Sequence, residues 1–208
     1  RPPRSTLFPY TTLFRSRMIG RVAFPIFCFL LVEGFLHTHD VKKYAMRLGL
    51  FALLSEIPFD LAFSSKILEF NYQNVFFTLF IGLLTMIAYR AVEEKEEWGQ
   101  AWKVILYILI VAAGMALAYF LKTDYAEKGV FCIMVLYIFR KKKMWQIIAG
   151  CASFIWETPA LFGFIPIAFY NGTRGWKMKY FFYIFYPAHL LILYLLCYFM
   201  GISGYSAV

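Results

Sequence analysis

Paired cysteines, domain linkers and internal repeats are all missing from this chain of 208 residues. Its cysteines fall singly in separate apolar segments, and no CxxC pair occurs among them. They are Cys28, Cys132, Cys151 and Cys197. Unpaired cysteines of this kind indicate neither a disulfide framework nor a zinc site, so we expect no metal. The missing linkers and repeats favour one domain over an architecture of duplicated halves.

The hydrophobic segments also lack the alternation of polar and apolar residues that is typical of strands in a membrane barrel. Hydrophobic residues make up 62% of the sequence and the mean hydropathy is +0.64, whereas a soluble domain is roughly 45–50% apolar. The excess is gathered in runs long enough to cross about 30 Å of hydrocarbon as helix. Because a span in lipid must satisfy its own backbone hydrogen bonds, the sequence predicts an all-α, polytopic transmembrane helix bundle.

Seven candidate spans follow from these runs. They are residues 18–38, 44–63, 73–90, 103–121, 128–140, 144–170 and 180–200. The sixth span contains Glu157, Pro159 and Pro166, which predicts either a kinked helix or a half-helix with a re-entrant turn.

The first sixteen residues, RPPRSTLFPYTTLFRS, differ in composition from the rest of the chain. This run resembles a translated sequencing adapter, and it has no apolar core of signal-peptide length. We therefore expect residues 1–16 to be non-native and residues 17–208 to form a single integral membrane domain. On this interpretation a genuine N-terminal segment is absent.

The formal net charge of +9 would suggest nucleic acid as a partner of a soluble protein. Here the cations lie between hydrophobic runs, as in Lys42-Lys43 and in the run from Arg140 to Lys143. Orientation in a membrane explains them better, and we expect no nucleic acid. By the positive-inside rule, the side that carries residues 140–143 and the C-terminus faces the cytoplasm.

Five charged residues lie within the first two spans. They are Arg21, Glu33, Arg47, Glu56 and Asp60. An ionisable group near the bilayer centre costs about 2.5–3.5 kcal/mol on insertion scales, so it usually faces a bundle interior or a cavity with a partner. Glu33 and His37 are four residues apart, as are Glu56 and Asp60, so each pair shares one helix face. The first pair suits a general base, whereas the alternative is ion pairing of the two arginines with these acids.

His189 is the histidine that lies deepest in an apolar span, just after Pro187 and one turn after Tyr186. An imidazole beside a phenol can relay a proton or donate a hydrogen bond to a substrate carbonyl. A structural histidine that bonds to a neighbouring helix is the alternative.

Two loops on the same predicted side carry polar residues. One holds Thr123, Asp124 and Tyr125, and the other runs from Tyr170 to Gly175 with Asn171 and Arg174. Asp124 and Arg174 could form an ion pair that closes the mouth of a cavity, and the alternative is a pair of ordinary turns.

Several of these segments together resemble the TraX family of bacterial membrane proteins. The first block, GRVAFPIFCFLLVEGFLHT, begins at Gly20, and later blocks include TDYAEKGVFCIMVLYIFR and IPIAFYNGTRGWKMKYFFYIFYPAHLLILYLL. The resemblance covers about residues 17–196. It implies an integral, multi-pass protein of the bacterial inner membrane that acetylates an amine or hydroxyl acceptor, as the family's namesake acetylates the N-terminus of pilin.

The resemblance also assigns roles to residues. It implies catalytic roles for His189, Glu33, His37, Arg21 and Arg47. It implies substrate-binding roles for Glu56, Asp124, Tyr125, Asn171 and Tyr186. The helix spacing and the loop positions described above add Asp60 and Arg174 to this set. The acyl donor would be acetyl-CoA, and the expected partners are membrane lipid and a pilin or another envelope acceptor. The family pattern has an Asp-His pair on a span upstream of residue 17, so the resemblance implies that the full-length protein, more than this chain, is the enzyme.

Two other kinds of function fit the residues. A small transporter could use Glu56, Asp60, His189 and Arg47 to line a path for protons or solute. A non-catalytic protein of pilus or envelope assembly needs only the helix bundle.

Overall fold

The computed structural model describes residues 7–64, 72–173 and 179–199. Within those ranges the chain forms eight α-helices and one short 3-10 helix, and no strand. The helices are α1 (Leu7–His37), α2 (Val41–Ser64), α3 (Val75–Glu93), α4 (Gln100–Phe120), α5 (Ala126–Ile138), α6 (Lys143–Ser153), α7 (Phe164–Phe169) and α8 (Lys179–Phe199). The 3-10 helix, Thr158–Gly163, lies between α6 and α7. The predicted all-α fold class is confirmed.

Three stretches of helix in the described part of the chain are long and apolar enough to cross a membrane. They are Gly20–His37 in α1, Val75–Glu93, which is α3, and Gln100–Phe120, which is α4. Helix α2 carries Arg47, Glu56 and Asp60 along its length, and α5 has only 13 residues. The count of seven crossings therefore stays a prediction. The helices overlap the seven apolar runs, although α1 begins earlier than predicted, at Leu7, and the sixth run is divided.

The irregular sixth span is broken in the structure. Helix α6 ends at Ser153, a turn follows, and the 3-10 helix starts at Thr158 with Pro159 in its first turn. The chain then continues as the short helix α7. Proline fixes its own backbone torsion and has no N–H to donate, so it fits at such a start without loss of a helical hydrogen bond. Of the two alternatives predicted for residues 144–170, the break fits a half-helix better than one continuous kinked helix.

The chain divides into two compact units, of which the first is Arg1–His37 with Phe131–Thr173. In this unit α1 packs against the 3-10 helix and α7. Phe24, Cys28 and Val32 recur every four residues along α1 and are buried, as expected for one face of a helix. Gly163 lies so close to the carbonyl oxygen of Val22 that a Cβ atom would not fit.

The second unit is Thr38–Val130 with Arg174–Val208. Helix α3 packs against α2 and α4, and α8 packs against α2. Gly114 of α4 lies directly against the side chain of Thr85 of α3, while Tyr89 and Tyr107 stack with 4.1 Å between ring centroids. Apart from Gly114 and Ala118, the side chains of α4 are at least partly exposed. A large exposed apolar face of this kind is typical of a helix that meets lipid.

Candidate functional site

The start of α3 carries a cluster of hydrogen-bonded polar side chains in the second unit. The side-chain oxygen of Asn74 accepts the backbone N–H of Phe76 at 2.9 Å, which makes Asn74 the N-cap of the helix. Its side-chain amide donates to the carbonyl oxygen of Ala52 at 2.8 Å and to the carboxylate of Glu56. The backbone N–H of Asn74 also donates to Glu56, at 3.3 Å. A carboxylate is favoured here because the free N–H groups of a helix start carry partial positive charge.

Glu56 and Asp60 lie one turn apart on α2, and both side chains are buried, with residue exposures of 9% and 1%. Their placement on one face agrees with the spacing in the sequence. Asn74 engages the Oε2 atom of Glu56. The Oε1 atom is buried and has no hydrogen-bond partner among the residues that the structure describes.

Tyr186 brings α8 to the same helix start. Its hydroxyl oxygen accepts the backbone N–H of Val75, and the hydroxyl lies within electrostatic range of Asp124 and Glu56. The Tyr186 ring meets the Phe76 ring edge-on, with 4.8 Å between centroids. Three successive N–H groups, from residues 74 to 76, are thus satisfied by side chains of α2, α8 and Asn74 itself.

The loop between α4 and α5 supplies Asp124. The backbone N–H of Gln73 donates to the carbonyl oxygen of Lys122 at 3.0 Å, and the Tyr72 hydroxyl donates to the Asp124 carboxylate. Lys122 and Ala126, on either side of Asp124, have positive φ angles of 51° and 43°. Residues other than glycine rarely adopt this backbone conformation. Backbone strain of this kind often accompanies a functional site.

His189 follows Tyr186 by three residues on α8, and their ring centroids are 5.5 Å apart. The Nδ1 atom of His189 lies 2.9 Å from the carbonyl oxygen of Phe185. Because a carbonyl oxygen can only accept, this contact assigns the proton of the neutral ring to Nδ1. The Nε2 atom of the neutral imidazole then keeps its lone pair and can act as a base.

The first unit holds a separate ion pair between Arg21 of α1 and Glu157 in the break after α6. The Arg21 Nη1 and Glu157 Oε1 atoms are 2.5 Å apart, and the two side chains are 48% and 10% exposed. The sequence suggested ion pairing of Arg21 with acids of the first two spans. The structure instead pairs it with Glu157, whose only predicted significance was its place in an irregular span.

The predicted couple of Glu33 and His37 lies near the end of α1. His37 Nδ1 is 3.8 Å from Glu33 Oε2 and 2.9 Å from the Glu33 carbonyl oxygen. The Tyr170 hydroxyl bonds to the Glu33 side chain, and the Lys143 ammonium donates to the Tyr170 carbonyl oxygen. Tyr170 thereby connects the end of α1 to the start of α6 within this unit.

The remaining predicted residues are dispersed. Arg47 is half-buried, and its Nε atom has no hydrogen-bond partner within the described ranges. Asn171 is exposed and accepts the N–H and the hydroxyl of Thr173 in its own turn. Tyr125 directly precedes α5, and its carbonyl oxygen accepts the N–H of Gly129. Arg174 lies outside the described residues, and so does its predicted pairing with Asp124.

The helix-start cluster consists of Glu56, Asp60, Tyr72, Asn74, Asp124 and Tyr186, with His189 beside it. Four of the six members and His189 were predicted from the sequence, whereas Tyr72 and Asn74 were not. A signal for Asn74 existed, because an asparagine directly before the apolar run VFFTLF is a typical helix N-cap. No local feature of the sequence indicates a role for Tyr72. Within the described part of the chain, no group of three or more His, Cys, Asp or Glu could hold a metal ion.

Buried polar clusters within a helical fold that contains membrane-length apolar helices define a helical membrane protein with internal polar sites. The model of the family described as TraX protein matches residues 8–197. The chain therefore belongs to the TraX family, and the predicted membership is confirmed. It is 27% identical over 202 residues to a protein of Dichelobacter nodosus described as probable fimbrial assembly protein FimC, serogroup H1, covering 85% of this chain and 80% of that protein. No solved structure matches the chain.

Proposed function

We propose that this protein is a multi-pass acetyltransferase of the bacterial inner membrane that acts in pilus assembly. It moves an acetyl group from cytoplasmic acetyl-CoA to an amine or hydroxyl acceptor, such as a pilin or another envelope component. Membership of the TraX family and a relative described as a fimbrial assembly protein support the pilus context. The observation that supports the chemistry is the arrangement of His189 beside Tyr186 at the helix-start cluster.

In the proposed reaction His189 is the general base. Its Nε2 atom takes a proton from the acceptor, whose nitrogen or oxygen then attacks the carbonyl carbon of the thioester. The C–S bond breaks as the tetrahedral intermediate collapses, and the imidazolium returns the proton to the departing CoA sulfur. The helix carbonyl that holds Nδ1 fixes the orientation of the ring throughout these steps.

Tyr186 is the proposed hydrogen-bond donor to the oxyanion of the intermediate. Because its oxygen already accepts the N–H of Val75, its own hydroxyl proton is available for donation. Arg47 is favoured over Arg21 for stabilising negative charge. Arg21 is engaged by Glu157, whereas the Arg47 Nε atom has no hydrogen-bond partner in the described ranges.

A non-catalytic role in fimbrial assembly is the second candidate, because the description of the relative mentions assembly and no chemistry. Such a protein would keep its fold and its pilus phenotype when the histidine is replaced. The enzyme would lose both CoA-dependent chemistry and any phenotype that depends on it.

Transfer of radiolabel from acetyl-CoA, by membranes that contain the full-length protein, tests the proposal. We expect His189→Ala to lower the rate by about 10²- to 10⁴-fold, the usual contribution of a general base. Tyr186→Phe should lower it by about 10²- to 10³-fold, the usual cost of removing one oxyanion donor. The matched control is His39→Ala, because His39 is exposed between α1 and α2, and its rate should equal the wild-type rate.

The same variants need a folding check by size-exclusion chromatography in detergent. A folded wild-type protein that transfers no label to pilin peptides, sugars or lipids would contradict the acetyltransferase proposal. Label transfer that is equal in the wild type and His189→Ala would support the acetyltransferase activity but show that His189 is not its general base. His37→Ala is the next variant in that case, because His37 also holds its Nδ1 atom against a helix carbonyl.

A further inference from the structure

The junction between α5 and α6 carries the densest positive charge in the chain, the four consecutive cations from Arg140 to Lys143. Two of these cations are held by the protein. The Arg140 guanidinium lies 4.0 Å from the centroid of the Tyr137 ring and donates to the Tyr137 carbonyl oxygen at 3.0 Å. The Lys143 ammonium donates to the Tyr170 carbonyl oxygen. Lys141 and Lys142 are exposed, and neither ammonium group has a hydrogen-bond or ion-pair partner among the residues that the structure describes.

No carboxylate of the same unit is available to neutralise this basic segment. In residues 7–37 and 131–173 the only acidic residues are Glu33 and Glu157. Glu157 is paired with Arg21, and Glu33 accepts the Tyr170 hydroxyl. The cations also precede α6 directly, where the helix start adds partial positive charge and the first turn contains no acidic residue. Several like charges therefore lie close together without a counter-charge from their own unit.

We propose that the basic segment, Arg140 to Lys143, binds the phosphate groups of the acyl donor. This inference rests on the proposed function, since the donor there is acetyl-CoA. Its nucleotide end carries a diphosphate and a 3′-phosphate, so it offers several negative charges in one small ligand. Lysines act as point charges toward phosphate. Four adjacent cations match such a multivalent anion better than they match a lipid headgroup, which usually carries a single phosphate.

Two cations of the segment are held by the protein and two are exposed, so the two pairs have different roles. Arg140 and Lys143 fix the backbone of the segment through contacts with Tyr137 and Tyr170. Lys141 and Lys142 are available to bind the phosphates. Their replacement should not disturb the fold, because both side chains are exposed and neither forms a hydrogen bond or an ion pair in the described part of the molecule.

The test uses the full-length protein, purified in a neutral detergent, with radiolabelled adenosine 3′,5′-bisphosphate as the binding probe. Adenosine 3′,5′-bisphosphate carries the 3′-phosphate of CoA and lacks the thioester, so binding is measured without catalysis. We expect Lys141→Gln/Lys142→Gln to weaken binding by about tenfold, because two partly exposed charge contacts are lost. The matched control is Lys42→Gln/Lys43→Gln, which removes two adjacent cations near the start of α2 and should bind as the wild type does.

A second measurement compares two acyl donors, acetyl-CoA and S-acetylpantetheine, of which only the first has the nucleotide phosphates. The double variant should raise KM for acetyl-CoA by about the same factor, with kcat and the parameters for S-acetylpantetheine unchanged. Bisphosphate binding that depends on Lys141 and Lys142, in a protein that transfers no acetyl group, would keep the phosphate site and reject the proposed function. Acetyl transfer with an unchanged KM in the double variant would keep the function and reject the site.

A lipid source of phosphate is distinguished by a third measurement. If the bisphosphate binds wild type and double variant equally, while phosphatidylglycerol raises the melting temperature of the wild type alone, the segment binds lipid phosphate and the proposal is overturned. If neither ligand separates the two proteins, the segment serves only to orient the chain in the membrane, and the proposal is again overturned.

Discussion

The side-chain amide of Asn74 donates to the carboxylate of Glu56 and so ties the start of α3 to the middle of α2. Asn74 is fully buried, and its amide also donates to the carbonyl oxygen of Ala52. One short side chain therefore caps its own helix and bonds twice to a neighbouring helix. Because a buried polar group without a partner is costly, the three bonds depend on one another.

Replacing Asn74 with alanine should lower the free energy of unfolding by about 2–4 kcal/mol. The change removes a helix cap and leaves the Glu56 carboxylate with a single backbone donor from this helix start. Asn171→Ala is the matched control, because Asn171 is exposed and bonds only within its own turn. It should cost less than about 1 kcal/mol. Unfolding in a denaturing detergent measures both, and equal losses would contradict the role of Asn74.

The ion pair of Arg21 and Glu157 should contribute to stability mainly through Glu157. Arg21→Ala leaves a carboxylate that is 10% exposed without its partner. A fully buried pair loses about 3–5 kcal/mol when broken, but half of the Arg21 side chain is exposed, so we expect about 1–2 kcal/mol. In Arg21→Ala/Glu157→Gln the stranded charge is gone, and part of the loss should be recovered. A double variant that is as unstable as the sum of the two single variants would show that the two side chains do not interact.

Gly114 should tolerate no side chain in the packing of α4 on α3. A Cβ atom at this position would overlap the Thr85 side chain, and overpacking of a tight contact costs about 1–3 kcal/mol. Gly114→Ala should therefore destabilise the protein, and the added change Thr85→Ala should restore most of the loss. Gly20→Ala in α1 is the control, because a Cβ atom there would have no neighbour within 4 Å among the described residues. If Gly114→Ala is as stable as this control in thermal unfolding, the close approach of the two helices is wrong.

The backbone at Lys122 should favour glycine. Its φ angle of 51° lies in the left-handed region, which costs a side chain about 1–2 kcal/mol relative to glycine. Lys122→Gly should raise the free energy of unfolding by up to about 1 kcal/mol, after the greater entropy of glycine in the unfolded chain is subtracted. Lys103→Gly, within α4, should lower it by about 1 kcal/mol. Chemical unfolding of the two variants decides the point, and a loss at Lys122 would contradict the positive φ.

Local features of the sequence predicted the helices well. Long apolar runs without alternation located the helical segments, and Pro159 indicated the break after α6. The spacing of four residues placed Glu56 with Asp60 and Glu33 with His37 on shared helix faces, because that geometry depends only on the helical repeat. The cap formed by Asn74 was also predictable from a local rule, because an asparagine directly before an apolar run is a typical helix N-cap.

The partners across helices could not be predicted in the same way. Arg21 and Glu157 are 136 residues apart in the chain, and Tyr72 and Asp124 are 52 apart. Which polar side chains pair across helices depends on how the helices pack. Helix packing is decided by the fit of many apolar side chains at once. The choice of Glu157 over the nearer acids therefore had no signal in the residues around Arg21.

The start of α3 is hydrogen-bonded to both α2 and α8, and this affects how the second unit opens. Its first N–H groups have acceptors on α2 and α8, so this end of the helix cannot fray without separating from both neighbours. Helix ends ordinarily exchange their amide hydrogens quickly through small local openings. At residues 74 to 76 exchange instead requires a larger cooperative opening, so these amides should be about as slow as those in the middle of α3.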